Sequence, residues 1–365
     1  MTSFAPPNVA SGRRRRRGTR LVGPAFHTIV IAVLLVFPFV MTPFQNFRLS
    51  TVFFYAVVAL GLNLLTGYTG QISLGHSAFF AAGAYAAAVL MSDHGWAYLA
   101  TLPVIAVASY TVGYGFGLPA LRLRGLYLAM VTLGLALVTP ILIRTLPFTG
   151  GGSGVILPYI EAPAWTGLAA DQWIYLVCLG LTLLGFMVAR NLVVSHSGVA
   201  MRAVRDNEIA ASVAGIDVAR VKKRVFATSA AYAGVAGAMY ALVIQFVGPD
   251  AFGLLLSVGF LTAIVVGGLS TIWGAVFGAL FLVFAPAVTN DIDPSLSGLL
   301  YGGLIVIVML VAPSGVVGIL RKVQRLLIPR GPSLEPSSEA APFAAPATAS
   351  DSEDRVVANA KEVPL

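Results

Sequence analysis

The sequence predicts an all-α fold: a polytopic transmembrane helix bundle of about ten spans (eight to ten) with one long cytoplasmic loop. Three observations predict it. The 365-residue chain is 58% hydrophobic and only 10% charged, with a mean hydropathy of +0.87. Apolar runs of about 17–25 residues recur between residues 26 and 313, each long enough to cross ~30 Å of hydrocarbon as a helix. The charged residues fall almost entirely between those runs. Helices satisfy their backbone hydrogen bonds within the segment, whereas a transmembrane barrel would show weakly alternating segments of about ten residues.

The first run, 26–44, follows a basic arm containing Arg13–Arg17 and Arg20. A basic stretch before an apolar one is also the pattern of a signal peptide. Here the apolar stretch continues through Met41 without a small-residue cleavage site, so it is read as a retained span. Pro38 within it requires a neighbouring helix to repair the backbone hydrogen bonding. Further runs lie near 49–66, 76–92, 97–118, 125–146, 171–189, 225–246, 254–269, 273–289 and 296–313. The stretch 267-GGLSTIWG-274 reads as a kink or a re-entrant turn between the eighth and ninth.

Charge placement tests the count. With ten spans, 19 Lys and Arg outside the distal tail fall on one side, against Arg48 and Arg144 on the other. Positive residues mark the cytoplasmic face, so both termini are expected there, and an odd number of spans would scramble the partition. The net charge of +8 is thereby explained by lipid-facing loops, and no nucleic-acid partner is expected. Cys178 is the single cysteine, which leaves no disulfide framework and no cysteine metal site. No other grouping of ligating residues suggests a metal.

The expected organisation is a basic arm at 1–25, a membrane domain at 26–320 containing the loop 190–225, and a tail at 321–365. The tail is rich in Pro, Ala, Ser and Glu without an apolar period, and is expected to be disordered. The external segment 147–167 is rich in Gly and Pro and either caps the outer mouth or connects two helices. Gly113/Gly117, Gly274/Gly278 and Gly298/Gly302 have the spacing that permits close helix approach.

Residues 61–80, GLNLLTGYTGQISLGHSAFF, place polar groups and helix breakers between two apolar flanks. One reading is that Gly67–Gly75 interrupts two membrane helices and exposes polar groups to a solute path. Irregular backbone at membrane depth is tolerated where protein or a water-filled cavity covers it. Asn63, Thr66, Gln71, Ser73 and His76 would line or support that path. The other reading is a tight cytoplasmic turn whose glycines serve packing. No Asp, Glu or second His accompanies His76 to complete a metal site or proton relay.

The one long internal loop is 190-RNLVVSHSGVAMRAVRDNEIAASVAGIDVARVKKRVF-226. Within it, residues 199–215 read as a helix ending at Gly215, a residue suited to a left-handed stop. Val199, Ala203, Ile209, Ala210 and Val213 give it a short apolar stripe. It is either an amphipathic helix lying at the headgroups or a docking helix for a soluble partner. Its Ala-rich face and Gly turn suit close packing into a protein cleft. No Gly-Lys pair occurs in the chain, which excludes a nucleotide-binding P-loop.

The loop resembles the cytoplasmic motif of ABC-importer permeases, Glu-Ala-Ala followed three residues later by Gly. Ala210, Ala211 and Gly215 occupy the Ala-Ala and Gly positions, while Ile209 stands where the Glu would be and the acid precedes it as Glu208. That departure is similar to the branched-chain amino acid permeases, as in 207-NEIAASVAG-215. The stretches 61–85, 121–134, 265–279 and 301–315 also resemble the larger, M-type permease subunit of that family. The resemblance covers roughly 45–320. It implies a non-enzymatic permease subunit of the bacterial inner membrane that imports branched-chain or related amino acids, or, with the same machinery, urea or short amides. An ion-coupled secondary transporter is disfavoured by the lack of acidic residues deep within the spans. The implied partners are a second permease subunit, two ATP-binding subunits and an extracytoplasmic solute-binding protein. This chain would hold no cofactor, since ATP would be bound by partners. Arg202, Arg205, Glu208, Ala210, Ala211 and Gly215 are the docking residues the resemblance suggests.

Overall fold

The computed structural model describes residues 22–120, 125–311, 315–319 and 322. The basic arm up to residue 21, Arg122 and Arg124, and the tail from 323 onward lie outside the described residues. Among the described residues the α-helices with assigned bounds are, in order, α1 Val22–Val40, α2 Pro43–Leu62, α3 His76–Ser92, α4 Tyr98–Ala120, α5 Leu126–Thr145, α6 Ala170–Val194, α7 His196–Asp206, α8 Glu208–Val213, α9 Val218–Ile244, α10 Leu254–Gly267, α11 Gly274–Ile292 and α12 Ser297–Val311. Among the described residues seven helices are long and apolar enough to cross a membrane: Pro43–Gly67, Tyr98–Leu118, Tyr127–Thr145, Ala170–Val194, Val218–Ile244, Gly274–Ile292 and Ser297–Ile319. Three shorter apolar helices, Ile29–Val40, His76–Ser92 and Leu254–Gly267, occupy the remaining apolar runs of the sequence. The chain is a multi-pass, all-α membrane protein.

Local chemistry starts and stops these helices. The Gln45 side chain accepts a hydrogen bond from the Thr42 N–H at the start of α2, and Gln172 does the same for Ala169 at the start of α6. Each satisfies a backbone donor that a helix N-terminus would otherwise leave unpaired. Pro38 lacks the N–H that would bond the Leu34 carbonyl one turn earlier. The Tyr175 hydroxyl of α6 donates to that carbonyl instead, at 3.0 Å. This is the repair the proline required.

The interior is built on α2, α3 and α9, with α4 packed along α9. Its centre is aromatic. Phe80 lies 6.1 Å from Phe54, 5.5 Å from Tyr240, 5.9 Å from Phe252 and 5.5 Å from Phe260, ring centre to ring centre. Small residues let the backbones come this close. A Cβ at Gly83 of α3 would sit 1.9 Å from the Gly234 carbonyl oxygen of α9, and one at Gly237 would sit 1.9 Å from that of Phe80.

Two of the three glycine pairs noted in the sequence pack in this way. Gly113 faces Ala230 and Gly117 faces Lys223, while Gly274 and Gly278 lie against α10. A Cβ at Gly298 or Gly302 would touch nothing within 4 Å.

The segment 147–167 is more than a connector. Val155–Ile156 forms a two-residue strand (β1) pairing antiparallel with Phe246–Val247 (β2), with Val155 opposite Val247. Leu157 and Ile160 are buried beneath it, and Arg144 and Asp250 form an exposed ion pair beside it. This end of the bundle is opposite the one carrying α7 and α8.

Candidate functional site

Two broken helices meet at the end of the bundle nearest α7. After Leu62 the helix widens into a π turn over Asn63–Gly67, a form that recurs at functional positions. Helical geometry persists through Thr69, so the break covers residues 70–75 rather than all of 67–75. Gly70 at φ 72° supports this change of direction. The second break lies between α10 and α11. There the backbone turns through Gly268 at φ 119° and Ser270 at φ 58°, the latter a left-handed conformation that disfavours a non-glycine residue.

Asn63 joins the two breaks. It is fully buried; its Nδ2 donates to the Thr271 carbonyl at 2.7 Å and its Oδ1 accepts from the Ser270 N–H at 2.9 Å. The amide thus satisfies two backbone groups of a turn that has no ladder of its own. Gly67 is required beside it, because a Cβ there would sit 2.0 Å from Asn63 Oδ1 and 2.7 Å from Ser270 N.

The other polar residues of 61–80 are also largely used within the chain. Thr66 Oγ1 donates to the Gln71 carbonyl at 3.0 Å. Buried His76 lies between Ser73 Oγ at 3.2 Å from Nδ1 and Ser229 Oγ at 2.7 Å from Nε2. Ser229 spends its proton on the Gly61 carbonyl at 2.6 Å. Nε2 must therefore carry the imidazole proton, and Nδ1 accepts from Ser73. The histidine ties α3 to α9 across the break. Leu74 N–H donates to Thr132 Oγ1 of α5 at 2.9 Å, and Ser77 N–H to Ser257 Oγ of α10 at 3.1 Å.

Gln71 is the exception. Thr69 Oγ1 donates to the Leu65 carbonyl, so Gln71 Nε2 must be the group donating to Thr69, at 3.0 Å. This leaves the buried Gln71 Oε1 without a hydrogen-bond partner, as are Asn46 Oδ1 and the Tyr85 hydroxyl among the described residues.

The loop next to the breaks is two helices, not the single one expected over 199–215. Asn207 takes an extended conformation at φ −160° and ψ 111°, ending α7. Its side chain accepts from the N–H groups of Ile209 at 2.9 Å and Ala210 at 3.0 Å, which starts α8. Asn caps a helix N-terminus better than it extends one. Gly215 lies at φ 83° as its position suggested, and Ile216 N–H bonds back to the Ala211 carbonyl at 3.0 Å. That is the left-handed helix stop of a Schellman turn.

The charged members of the suggested docking set turn toward their own chain. Arg202 Nη1 donates to the Val193 carbonyl at 3.2 Å, in the last turn of α6. Arg205 Nη1 donates to the Gly67 carbonyl at 2.6 Å and also to Ser270 Oγ. Glu208 pairs with Lys222, whose side chain is only 6% exposed in α9. Ala211 is buried, while Ala210 and Gly215 are exposed. The largest apolar groups presented outward are Ile209 at 71% and Val213 at 84% exposure. Both stood in the apolar stripe read from the sequence; the signal for their exposure was the three-to-four-residue spacing on a loop helix. Ser229 and Ser270 carried no comparable signal.

The Lys222 pair gives a stability prediction. Glu208→Ala strands an ammonium that is buried, and is expected to destabilise the loop by about 2 kcal/mol, reduced from the fully buried case because Glu208 is part-exposed. Lys222→Met, which removes the buried charge, is expected to cost less. Limited proteolysis of residues 195–217 in purified protein measures both.

Comparison with known proteins bears on the whole assembly. The family model described as "Branched-chain amino acid transport system / permease component" matches residues 47–309. The high-affinity branched-chain amino acid transport system permease protein LivM of Escherichia coli K12 is 30% identical over 351 residues, covering 86% of this chain and 82% of the relative. LivM of Salmonella typhimurium is 30% identical over 330 residues, covering 83% and 77%. The permease protein LivH of Escherichia coli K12 is 27% identical over 294 residues, covering 72% and 91%. No solved structure matches the chain. Both broken helices and the loop 190–225 fall inside the matched span, and the chain belongs to the family of branched-chain amino acid transport system permease components.

Proposed function

We propose that this chain is the larger permease subunit of an ABC importer for branched-chain or related amino acids, and that α8 is where an ATP-hydrolysing partner docks. The observation that carries the docking assignment is the outward face of α8. Ile209 and Val213 are large, apolar and exposed on a short helix whose neighbouring charged residues, Arg205 and Glu208, are engaged with their own chain. Exposed apolar groups framed by polar ones mark an interaction surface.

On this reading a second permease subunit completes the pathway, two ATP-binding subunits power it and an extracytoplasmic solute-binding protein delivers cargo. The chain is then not an enzyme and holds no cofactor of its own; its sequence lacks the Gly-Lys pair of a P-loop, so ATP is bound by the partners. It lies in the bacterial inner membrane with its Lys- and Arg-rich face, and both termini, in the cytoplasm. The break at 70–75 forms part of the solute path. Thr66, Ser73 and His76 support its backbone, Asn63 holds the neighbouring break at 268–273, and Gln71 Oε1 is a buried acceptor beside the path that has no partner in this state.

The test is transport in proteoliposomes carrying both permeases and the ATP-binding subunits, with the solute-binding protein outside. ATP-dependent accumulation of labelled leucine that unlabelled valine competes away and urea does not is the expected result. Competition by urea instead reassigns the cargo. Leucine uptake driven by an ion gradient, without the ATP-binding subunits, overturns the importer assignment.

A further inference from the structure

We propose that Arg205 is a positioning residue that ties the docking loop to both helix breaks, so that displacement of α7 alters the two junctions together. The proposal rests on the docking role given to α8. Arg205 occupies the last turn of α7, two residues before Asn207, where the chain turns into α8. The stem of Arg205 runs over Gly70, its Cγ 3.4 Å from where a Cβ on that glycine would sit. Its Nη1 donates to the Gly67 carbonyl, in the helical turn that leads into the first break, and to Ser270 Oγ of the second. Ser270 Oγ itself donates to Gly67 O at 2.6 Å. One guanidinium and one hydroxyl therefore close a three-membered polar node between segments more than 200 residues apart in sequence.

The chemistry suits each partner. Gly67 lies in the last turn of a helical segment that runs to Thr69, where carbonyls lack intrahelical N–H donors and attract a cation. Ser270 holds an unfavourable left-handed conformation, and Asn63 and this node are what fix it there. A group that stabilises a strained turn from outside can release it when withdrawn.

Arg205 is also at the solvent edge of the node, exposed as a residue. Moving α7 away returns the guanidinium to water rather than burying it unpaired, and Gly67 O retains its bond from Ser270. The node can therefore open and close without stranding a charge. A partner that pulls on α8 moves Arg205 through the single-residue junction at Asn207, and the breaks on the solute path respond.

The experiment uses the complete reconstituted complex and compares Arg205→Ala, Arg205→Lys, Ser270→Ala and the Arg205→Ala/Ser270→Ala double variant. Two quantities are measured: the ATP-binding subunits retained per permease, and leucine transported per ATP hydrolysed. Arg205→Ala is expected to retain the partners and to lower leucine per ATP about tenfold, the size of one lost charge-assisted hydrogen bond. Ser270→Ala, which lies outside the loop, should lower the same ratio about threefold. The double variant should fall short of the product of the two single losses, because both act through one node, although Gly67 O then loses its second donor as well. Arg205→Lys, which keeps the charge and the fold, should recover part of the loss.

Loss of the ATP-binding subunits from Arg205→Ala would make the residue a docking contact and overturn the proposal. So would an unchanged ratio, or losses that multiply in the double variant. Absence of ATP-driven uptake in the unaltered complex would instead remove the importer reading beneath it.

Discussion

Changing Ile209 and Val213 together to glutamate is expected to reduce ATP-driven uptake by at least ~100-fold while leaving the membrane domain folded. Burial of two branched apolar side chains at an interface is worth about 1.5–3 kcal/mol each, and ~2.7 kcal/mol already corresponds to 100-fold. Two carboxylates in that interface add a desolvation cost on top of the lost burial. The fold should tolerate the change because the two residues are 71% and 84% exposed, so little of either is covered by the chain. Co-purification of the ATP-binding subunits from membranes, measured beside uptake, separates lost docking from lost transport. Ser212→Ala, on the same short helix, serves as the neutral comparison. Uptake at the unaltered level in the double glutamate variant would sink the assignment of α8.

Gly237→Leu is the substitution expected to damage the fold most. Its Cβ would lie 1.9 Å from the Phe80 carbonyl oxygen and 2.8 Å from the Ala84 nitrogen, all backbone that cannot rotate away. The nearby Gly83 meets Gly234 in the same manner, so α3 and α9 touch along their main chains. Relief requires the two helices to separate, which opens the aromatic cluster around Phe80. The cost should exceed about 4 kcal/mol, beyond the usual range for a single overpacked position. Loss of the protein from the membrane fraction, or a collapsed detergent melting temperature, is the measurement. Gly180→Leu in α6 provides the contrast: a Cβ there meets nothing within 4 Å, and that variant should accumulate normally.

How far the sequence disclosed these features differs with scale. The helices lay where the apolar runs were, because hydropathy over about 20 residues is a strong signal. The edges shifted where polar residues continue a helix beyond the apolar run. The run expected to begin at 225 starts at Val218 because Arg220, Lys222, Lys223 and Arg224 are good helix formers. At the loop, summed propensity favoured one helix, and a single capping side chain at Asn207 divided it.

The site was legible as a concentration of unusual residues, but its wiring was not. His76 finds Ser229, and Asn63 finds Thr271, across 153 and 208 positions. Such pairings depend on which helices become neighbours, and no local spacing encodes that. The same blindness applies to direction: Arg202 and Glu208 sat in a docking motif, yet each bonds to a group of its own chain.

Helix α9 has one further implication. Its 27 residues contain no proline and extend about 40 Å at 1.5 Å each. One end is fastened by Lys222 to Glu208, and the other by Gln245 to the Leu157 amide and by β2 to β1. The helix thus runs unbroken between the two ends of the bundle and is fastened at each. A displacement imposed at one membrane surface therefore has one continuous covalent element along which to reach the other.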